Sequence, residues 1–249
     1  MNPQMESVFA AAVLAAIVFT ATTGFRAFQR RHPDTSGVSG STMLGADVRA
    51  WYFENLQPLE DALVARSISA TWVTAAQVVL SAGIALLYSW GWLFLAGWLV
   101  LAIGSLDIID GRIARRTGTA SDRGAFLDSV FDRYADTFAY IGLAVYFRDN
   151  SSVLWVVLLT LLGTSMVSYA RARAEALSAE AKVGSFQRPE RTVVLGFGTM
   201  FSVLLDRIVG RWTGLPEDGL LIVVLVVLAV MTNVSAIQRI IHVDRQLGG

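Results

Sequence analysis

The sequence contains no cysteine and few charged side chains. Because none of its 249 residues is Cys, disulfides and thiol chemistry are excluded. Charged residues make up only 16% of the chain, whereas a soluble domain typically has about a quarter. Basic and acidic residues balance at 20 each, so no global field favours nucleic acid as a partner. The rest is rich in long apolar blocks, which are typical of a membrane protein.

Seven apolar segments are long enough to cross a hydrocarbon core about 30 Å thick. They lie near residues 7–25, 68–89, 92–116, 124–147, 151–175, 189–209 and 219–241. We interpret the first as a retained anchor rather than a cleaved signal peptide, because Glu6 and no basic residue precedes it and no A-x-A site closes it. Residues 43–66 mix aromatic and charged side chains, which indicates a helix in the membrane interface.

The distribution of basic residues predicts the orientation of these spans. With the N-terminus outside, every Lys and Arg except Arg148, Arg207 and Arg211 falls on the cytoplasmic side. The positive-inside rule favours this arrangement. We therefore expect a multi-pass protein of the cell membrane whose active site faces the cytoplasm.

Four aspartates within residues 107–132 are the most informative feature of the sequence. Asp107 and Asp110 are three residues apart, and Asp128 and Asp132 are four apart, so each pair shares one face of a helix. The polar stretch between the pairs predicts a short turn that makes the two helices antiparallel neighbours. We therefore expect the four carboxylates to converge at the membrane boundary.

Four unpaired carboxylates repel one another in a small site, and divalent cations with oxygen ligands are the usual solution. Two such ions could clamp a diphosphate. Gly111 and Gly124 would let a ligand approach the backbone closely, and Arg112 and Arg115 could meet a second charged group. In the alternative interpretation, the aspartates form ordinary salt bridges at a solvated helix end. The candidate partners are Arg112, Arg115, Arg116, Arg123 and Arg133.

These residues carry a resemblance to a known family. The pattern Asp107-x2-Asp110-Gly111-x2-Ala114-Arg115-x8-Gly124-x3-Asp128-x3-Asp132 resembles the signature of the CDP-alcohol phosphotransferases at every fixed position. The resemblance covers about residues 43–245. It implies an all-α polytopic membrane helix bundle, in which a six-helix core (spans within 68–245) follows an interfacial helix (43–66). Residues 1–42 would then form an additional N-terminal transmembrane helix and linker.

The resemblance also implies roles for individual residues. The implied metal ligands are Asp107, Asp110, Asp128 and Asp132, with Asp132 also as the catalytic base. The implied contacts of the CDP moiety are Asp107, Asp110, Gly111, Ala114, Arg115, Gly124 and Thr74. Thr71 departs from the pattern, since members often carry Asn there. The implied cofactor is Mg²⁺ or Mn²⁺, as two ions, and the implied assembly is a homodimer.

A second basic cluster, residues 169–191, predicts an anion-binding pocket. The guanidinium fork of Arg binds two phosphate oxygens at once, so a phosphorylated alcohol would suit this pocket as acceptor. The segments ARAE and RPER are similar to the branch of the family that makes phosphatidylinositol phosphate from inositol 1-phosphate. The implied phosphate contacts are Arg173, Arg188, Arg191 and Arg171.

The resemblance thus implies transfer of a phosphatidyl group from CDP-diacylglycerol to a small polar alcohol, inositol 1-phosphate, with release of CMP. Phosphatidylglycerophosphate synthase is the alternative within the family, because glycerol 3-phosphate is also a phosphorylated acceptor. A membrane ion carrier is the alternative of another class, since intramembrane carboxylates also line ion paths. We see no internal repeat of the kind common in carriers.

Overall fold

The computed structural model describes residues 3–31, 46–181, 183, 186–213 and 218–248, and it contains eight helices and no strand within those ranges. The all-α prediction is confirmed. The helices are α1 (Pro3–Arg31), α2 (Ala46–Ala65), α3 (Ala70–Ser89), α4 (Leu93–Arg116), α5 (Asp122–Tyr146), α6 (Ser151–Ala176), α7 (Arg188–Thr213) and α8 (Gly219–Leu247).

Four of these helices, α3, α4, α6 and α8, are long and apolar enough to cross a membrane. Much of their apolar surface faces outward, as Val79 on α3 does with 74% of its side chain exposed. Helices that are apolar on all sides suit a lipid environment. The spans predicted for α1, α5 and α7, and the interfacial position predicted for α2, stay predictions.

Small residues bring the helices of the bundle together. The closest packing joins α3 to α5 and to α4, α4 to α7, and α6 to α8. A Cβ on Gly142 of α5 would lie 2.6 Å from the carbonyl oxygen of Ala85 on α3. A Cβ on Gly97 of α4 would lie 2.8 Å from the carbonyl oxygen of Gly196 on α7. Only glycine permits these backbone approaches, which fix how the helices cross.

The predicted side-by-side packing of α4 and α5 is wrong. Both helices pack against α3, whereas α4 and α5 make almost no direct contact along the described residues. They meet at their connection, where Gly118 has a positive φ of 67° and the Ser121 hydroxyl accepts a hydrogen bond from Gly124 N at 3.2 Å. The short turn is therefore present, but α3 is the helix that holds the two aspartate-bearing helices in place.

Helix α2 is docked on the C-terminal half of α4. The Tyr52 hydroxyl lies 2.5 Å from Ser105 Oγ, and apolar side chains of α2 cover the buried Ile109 and Ile113. Glu60 is buried against Arg112, whose Nε lies 2.5 Å from Glu60 Oε2. These contacts tie α2 to the helix that carries Asp107 and Asp110.

Candidate active site

The structure brings three of the predicted carboxylates together. One ligand oxygen from each of Asp107, Asp110 and Asp128 lies within 4.8 Å of the others. Asp110 is buried and the other two are half-buried. The convergence of α4 and α5 carboxylates expected from the sequence is therefore present at the end of the bundle where the two helices are connected.

Asp132 lies one turn further along α5 and contacts the group through an arginine. Arg188, at the start of α7, places Nη1 2.6 Å from Asp107 Oδ2 and Nη2 2.9 Å from Asp132 Oδ1. Its Nε lies 3.6 Å from Asp136 Oδ1. The planar guanidinium thus spans carboxylates from two helices, and Pro189 fits the first turn of α7 that carries it.

Two side chains of α3 hydrogen-bond to Asp110. Thr74 Oγ1 donates to Asp110 Oδ2 at 2.9 Å, and Gln77 Nε2 donates to the same oxygen at 2.7 Å. Sequence reasoning placed Thr74 near the nucleotide and did not identify Gln77. The available signal was a Gln three residues after Thr74 within an apolar span, since polar residues inside spans are rarely without a function.

The neighbouring arginines of α4 do not neutralise the aspartates, as the salt-bridge alternative requires. Arg112 and Arg116 pair instead with Glu60 of α2, and Arg116 also pairs with Asp61. On α5, Arg133 donates to the backbone carbonyl of Ser129 within its own helix. Among the described residues, the arginine that reaches the cluster comes from α7.

The donor set fits a divalent cation. Asp128 Oδ1 is buried and has no hydrogen-bond partner in the described part of the chain. A buried, unsatisfied carboxylate oxygen is energetically costly, and an ion with oxygen ligands would satisfy it. Asp107, Asp110 and Asp128 provide such ligands from one small volume.

A cavity of about 400 Å³ opens beside the carboxylates. Its walls come from the start of α3, the end of α4, the connecting turn and the start of α5. Arg115 folds back over Gly111, so that a Cβ on Gly111 would lie 3.4 Å from Arg115 Nη1. The predicted CDP-contact residues in the wall are Thr74, Asp110, Gly111, Ala114, Arg115 and Gly124, and Asp128 also lines it.

The predicted acceptor arginines separate into two groups. Arg188 and Arg191 lie at the cluster, and Arg191 is buried with Nη2 3.4 Å from Asp136 Oδ2. Arg171 and Arg173 are both exposed at the end of α6, and Arg171 pairs with Glu175 of its own helix at 2.8 Å. The structure therefore brings Arg188 and Arg191 to the aspartates, whereas it places Arg171 and Arg173 at the surface.

The profile of the CDP-alcohol phosphatidyltransferases matches residues 67–240, which is more than half of the chain. The chain belongs to this family. Membership confirms the resemblance carried by the aspartate spacing. It makes the chain a multi-pass membrane transferase of phospholipid biosynthesis and leaves no support for an ion carrier.

Several relatives of the chain have named activities. It is 32% identical to a phosphatidylinositol phosphate synthase of Streptomyces avermitilis over 215 residues, which cover 83% of this chain and 85% of that protein. It is 38% identical to a protein of the same name from Cutibacterium acnes over 152 residues, with 59% and 72% covered. An archaetidylinositol phosphate synthase of Methanothermobacter thermautotrophicus is 30% identical over 192 residues, with 77% and 90% covered.

Solved structures give the same relationship. The fold is similar to that of Mycobacterium tuberculosis phosphatidylinositol phosphate synthase with CDP-DAG bound, with a TM-score of 0.65 and 27% identity. The match covers 75% of this chain and 92% of that one. The structure of the same enzyme with manganese and citrate also matches with a TM-score of 0.65 and 27% identity, over 75% of this chain and 87% of that one.

Proposed function

We propose that the chain transfers the phosphatidyl group of CDP-diacylglycerol to inositol 1-phosphate, giving phosphatidylinositol phosphate and CMP. The observation that carries this proposal is the two-sided aspartate cluster. Asp110 and Asp128 face the cavity of about 400 Å³, while Asp107 and Asp132 contact Arg188 of α7. A nucleotide-linked donor on one side and a phosphorylated acceptor on the other would meet at the carboxylates.

The cavity would hold the CDP end of the donor. Gly111, Ala114 and Gly124 present little side-chain volume, so the diphosphate and ribose can approach the backbone there. Arg115 would pair with the diphosphate through its guanidinium fork. The diacylglycerol chains would extend into the bilayer along the outward-facing apolar side chains of the spans.

Asp107, Asp110, Asp128 and Asp132 would hold two ions of Mg²⁺ or Mn²⁺. When bound, such ions neutralise charge on the diphosphate and on the departing CMP. The manganese complex of the M. tuberculosis relative supports this assignment.

Asp132 would act as the catalytic base. An inositol hydroxyl oxygen attacks the lipid-side phosphorus, a new P–O bond forms, and the bond to the bridging oxygen of the diphosphate breaks. CMP leaves with that oxygen, and Asp132 takes the hydroxyl proton. The contact of Asp132 with Arg188 supports this role, because it places the base beside the proposed acceptor pocket.

Arg188 and Arg191 would bind the phosphate of the acceptor. Arg171 and Arg173, which are exposed at the end of α6, would be further contacts. The ion pairs of Arg188 and Arg191 with Asp136 support a fixed orientation of both guanidiniums. The names of the relatives from Streptomyces, Cutibacterium and Methanothermobacter favour an inositol phosphate as the acceptor.

The site would face the cytoplasm of the cell membrane. The concentration of Arg at the connected ends of the two helices that carry the aspartates supports this orientation. A homodimer is our proposal from family resemblance alone. Light scattering of the purified chain in detergent tests the dimer.

An acceptor comparison with purified protein tests the proposed reaction. CMP release from CDP-diacylglycerol is measured with inositol 1-phosphate, glycerol 3-phosphate or inositol, each with Mn²⁺, with Mg²⁺ or with a chelator. We expect release to require a divalent ion and inositol 1-phosphate. Equal or faster release with glycerol 3-phosphate would instead identify a phosphatidylglycerophosphate synthase.

The phosphate pocket is tested by replacing Arg188 and Arg191 separately with Gln. We expect kcat/KM for inositol 1-phosphate to fall strongly in both variants. The KM for CDP-diacylglycerol should change much less. Arg148→Gln is the matched control, because Arg148 is exposed and pairs with its neighbour Asp149 at the opposite end of α5. An unchanged KM for inositol 1-phosphate in both variants would contradict the pocket.

A further inference from the structure

Gln77 is a buried amide in the middle of the site and has no role in the reaction described so far. It lies on α3, its side chain is only 3% exposed, and its Nε2 donates to Asp110 Oδ2 at 2.7 Å. Asp110 is itself only 4% exposed and lies on α4. The contact therefore connects two helices inside the bundle at a carboxylate of the cluster.

The chemistry of the contact fixes how the Asp110 carboxylate is turned. An ionised carboxylate only accepts hydrogen bonds, so the amide NH₂ of Gln77 must face it. Thr74 lies three residues earlier on the same face of α3 and donates to the same oxygen at 2.9 Å. Because both bonds end on Oδ2, they restrain rotation of the carboxylate, and Oδ1 would be available to ligate a cation.

If Gln77 had only a local structural role, its side chain would be expected to hydrogen-bond within its own helix, α3. Ser81 lies one turn further along α3 and is fully buried, and its hydroxyl donates to the backbone carbonyl of Gln77 at 2.6 Å. A polar side chain in a span can therefore be satisfied within its own helix. Gln77 instead reaches across to α4, and its partner is a member of the three-carboxylate group.

We propose that Gln77 is a positioning residue for the metal site, acting by holding Asp110 in its ligating orientation. The inference rests on the metal site of the proposed function. Partners that orient a metal-binding carboxylate raise the affinity of the site, and their loss weakens metal binding by about 10- to 100-fold. Gln77 would thus set the Mn²⁺ concentration at which the enzyme works, without touching either substrate.

The test is a Mn²⁺ titration of the purified full-length chain, with free Mn²⁺ measured by its EPR signal. Gln77→Met keeps the length of the side chain and removes the donor, so we expect Mn²⁺ binding about 10- to 100-fold weaker. CMP release should then need correspondingly more Mn²⁺ and reach the unaltered kcat at saturation. Ser81→Ala is the matched control and should bind Mn²⁺ as the unaltered chain does.

Two further variants separate the possible outcomes. Asp110→Asn should weaken Mn²⁺ binding, and adding Gln77→Met to it should cause no further loss. If Asp110→Asn binds Mn²⁺ normally, the metal assignment of the proposed function fails. If Asp110→Asn loses binding while Gln77→Met keeps it, or if the two losses add, the inference about Gln77 alone is overturned.

Folding of the variant is followed by its melting temperature without metal. A structural role would lower that temperature and leave the Mn²⁺-induced rise unchanged, which would also overturn the inference. If Gln77→Met does not fold, Gln77→Asn replaces it in the same titration. Its amide is one methylene shorter and cannot span the distance to Asp110, so the same weakening is expected, and normal binding would contradict the proposal.

Discussion

Asp132 and Asp128 lie one turn apart on α5 but have different surroundings. Asp128 lines the cavity of about 400 Å³. Asp132 is held by Arg188 Nη2 at 2.9 Å. The first environment suits a metal ligand, and the second suits a group that takes a proton beside the acceptor. Spacing alone made these two residues equivalent, and only the arginine from α7 distinguishes them.

We predict that Asp132→Asn lowers kcat for CMP release by about 10²- to 10⁴-fold, the usual contribution of a general base. The amide oxygen can still accept from Arg188, so the orientation of that guanidinium should be kept. Asp122→Asn is the control, since Asp122 is exposed in the first turn of the same helix. Steady-state kinetics check this, and full turnover by Asp132→Asn would remove the proposed role.

At the scale of helices, α3 determines the geometry of the site. It packs against both α4 and α5, and it donates two hydrogen bonds to Asp110. The two helices α3 and α5 approach closely at Gly142, beside the backbone of Ala85. The distance between the α4 and α5 carboxylates therefore depends on how tightly α5 packs on α3.

Gly142→Ala should destabilise the chain by about 1–3 kcal/mol, because the added methyl group overfills the crossing of α3 and α5. The substitution should also weaken Mn²⁺ binding, because a displaced α5 would move Asp128 away from Asp110. Gly83→Ala is the matched control, because a Cβ there makes an ordinary 3.7 Å contact with the side chain of Leu99. Melting temperature and Mn²⁺ titration report both effects. Equal melting temperatures and equal Mn²⁺ affinities of the two variants would contradict the conclusion that Gly142 determines how α3 and α5 cross.

The docking of α2 on α4 gives a second prediction at this scale. Glu60 is buried and pairs with Arg112 and Arg116, so Glu60→Gln should cost about 1.5–3 kcal/mol of stability. Asp61→Asn removes only the exposed pair with Arg116 and should cost less stability than Glu60→Gln, because water screens that pair. Reversible denaturation in detergent measures the loss of unfolding free energy in each of the two variants. A larger loss for Asp61→Asn would show that the buried pair is not what docks α2.

The sequence was sufficient to predict the helices and the aspartate cluster, because both follow from local periodicity. The predicted segment 151–175 and the observed α6, for example, differ by one residue at the C-terminal end. Which helices pack together was not predictable, since lipid-facing and helix-facing sides of a span are equally apolar. For that reason α4 and α5 were expected to be neighbours, and Gln77, which acts across helices, was not identified.

At the scale of the whole molecule, the orientation in the membrane is the open prediction. Helix α5 connects the turn at residues 117–121, beside the aspartates, to the turn at residues 147–150. Its 25 residues are enough to cross a hydrocarbon core of about 30 Å. The two turns should therefore lie on opposite sides of the membrane.

Because the chain has no cysteine, single introduced thiols can be labelled without background. We predict that Ala120→Cys reacts with a membrane-impermeant maleimide only after the cells are opened. Asp149→Cys, at an exposed site in the other turn, should react in intact cells. The reverse pattern would place the active site on the outer face of the membrane.

The central claim is that aspartates from α4 and α5, held together by α3, form one divalent metal site. The most direct measurement is an anomalous-scattering map from crystals of the chain grown with Mn²⁺. The account predicts Mn²⁺ peaks about 2.0–2.6 Å from the carboxylate oxygens of Asp107, Asp110 and Asp128. Anomalous peaks confined to other parts of the molecule, with these aspartates paired only to arginines, would contradict it.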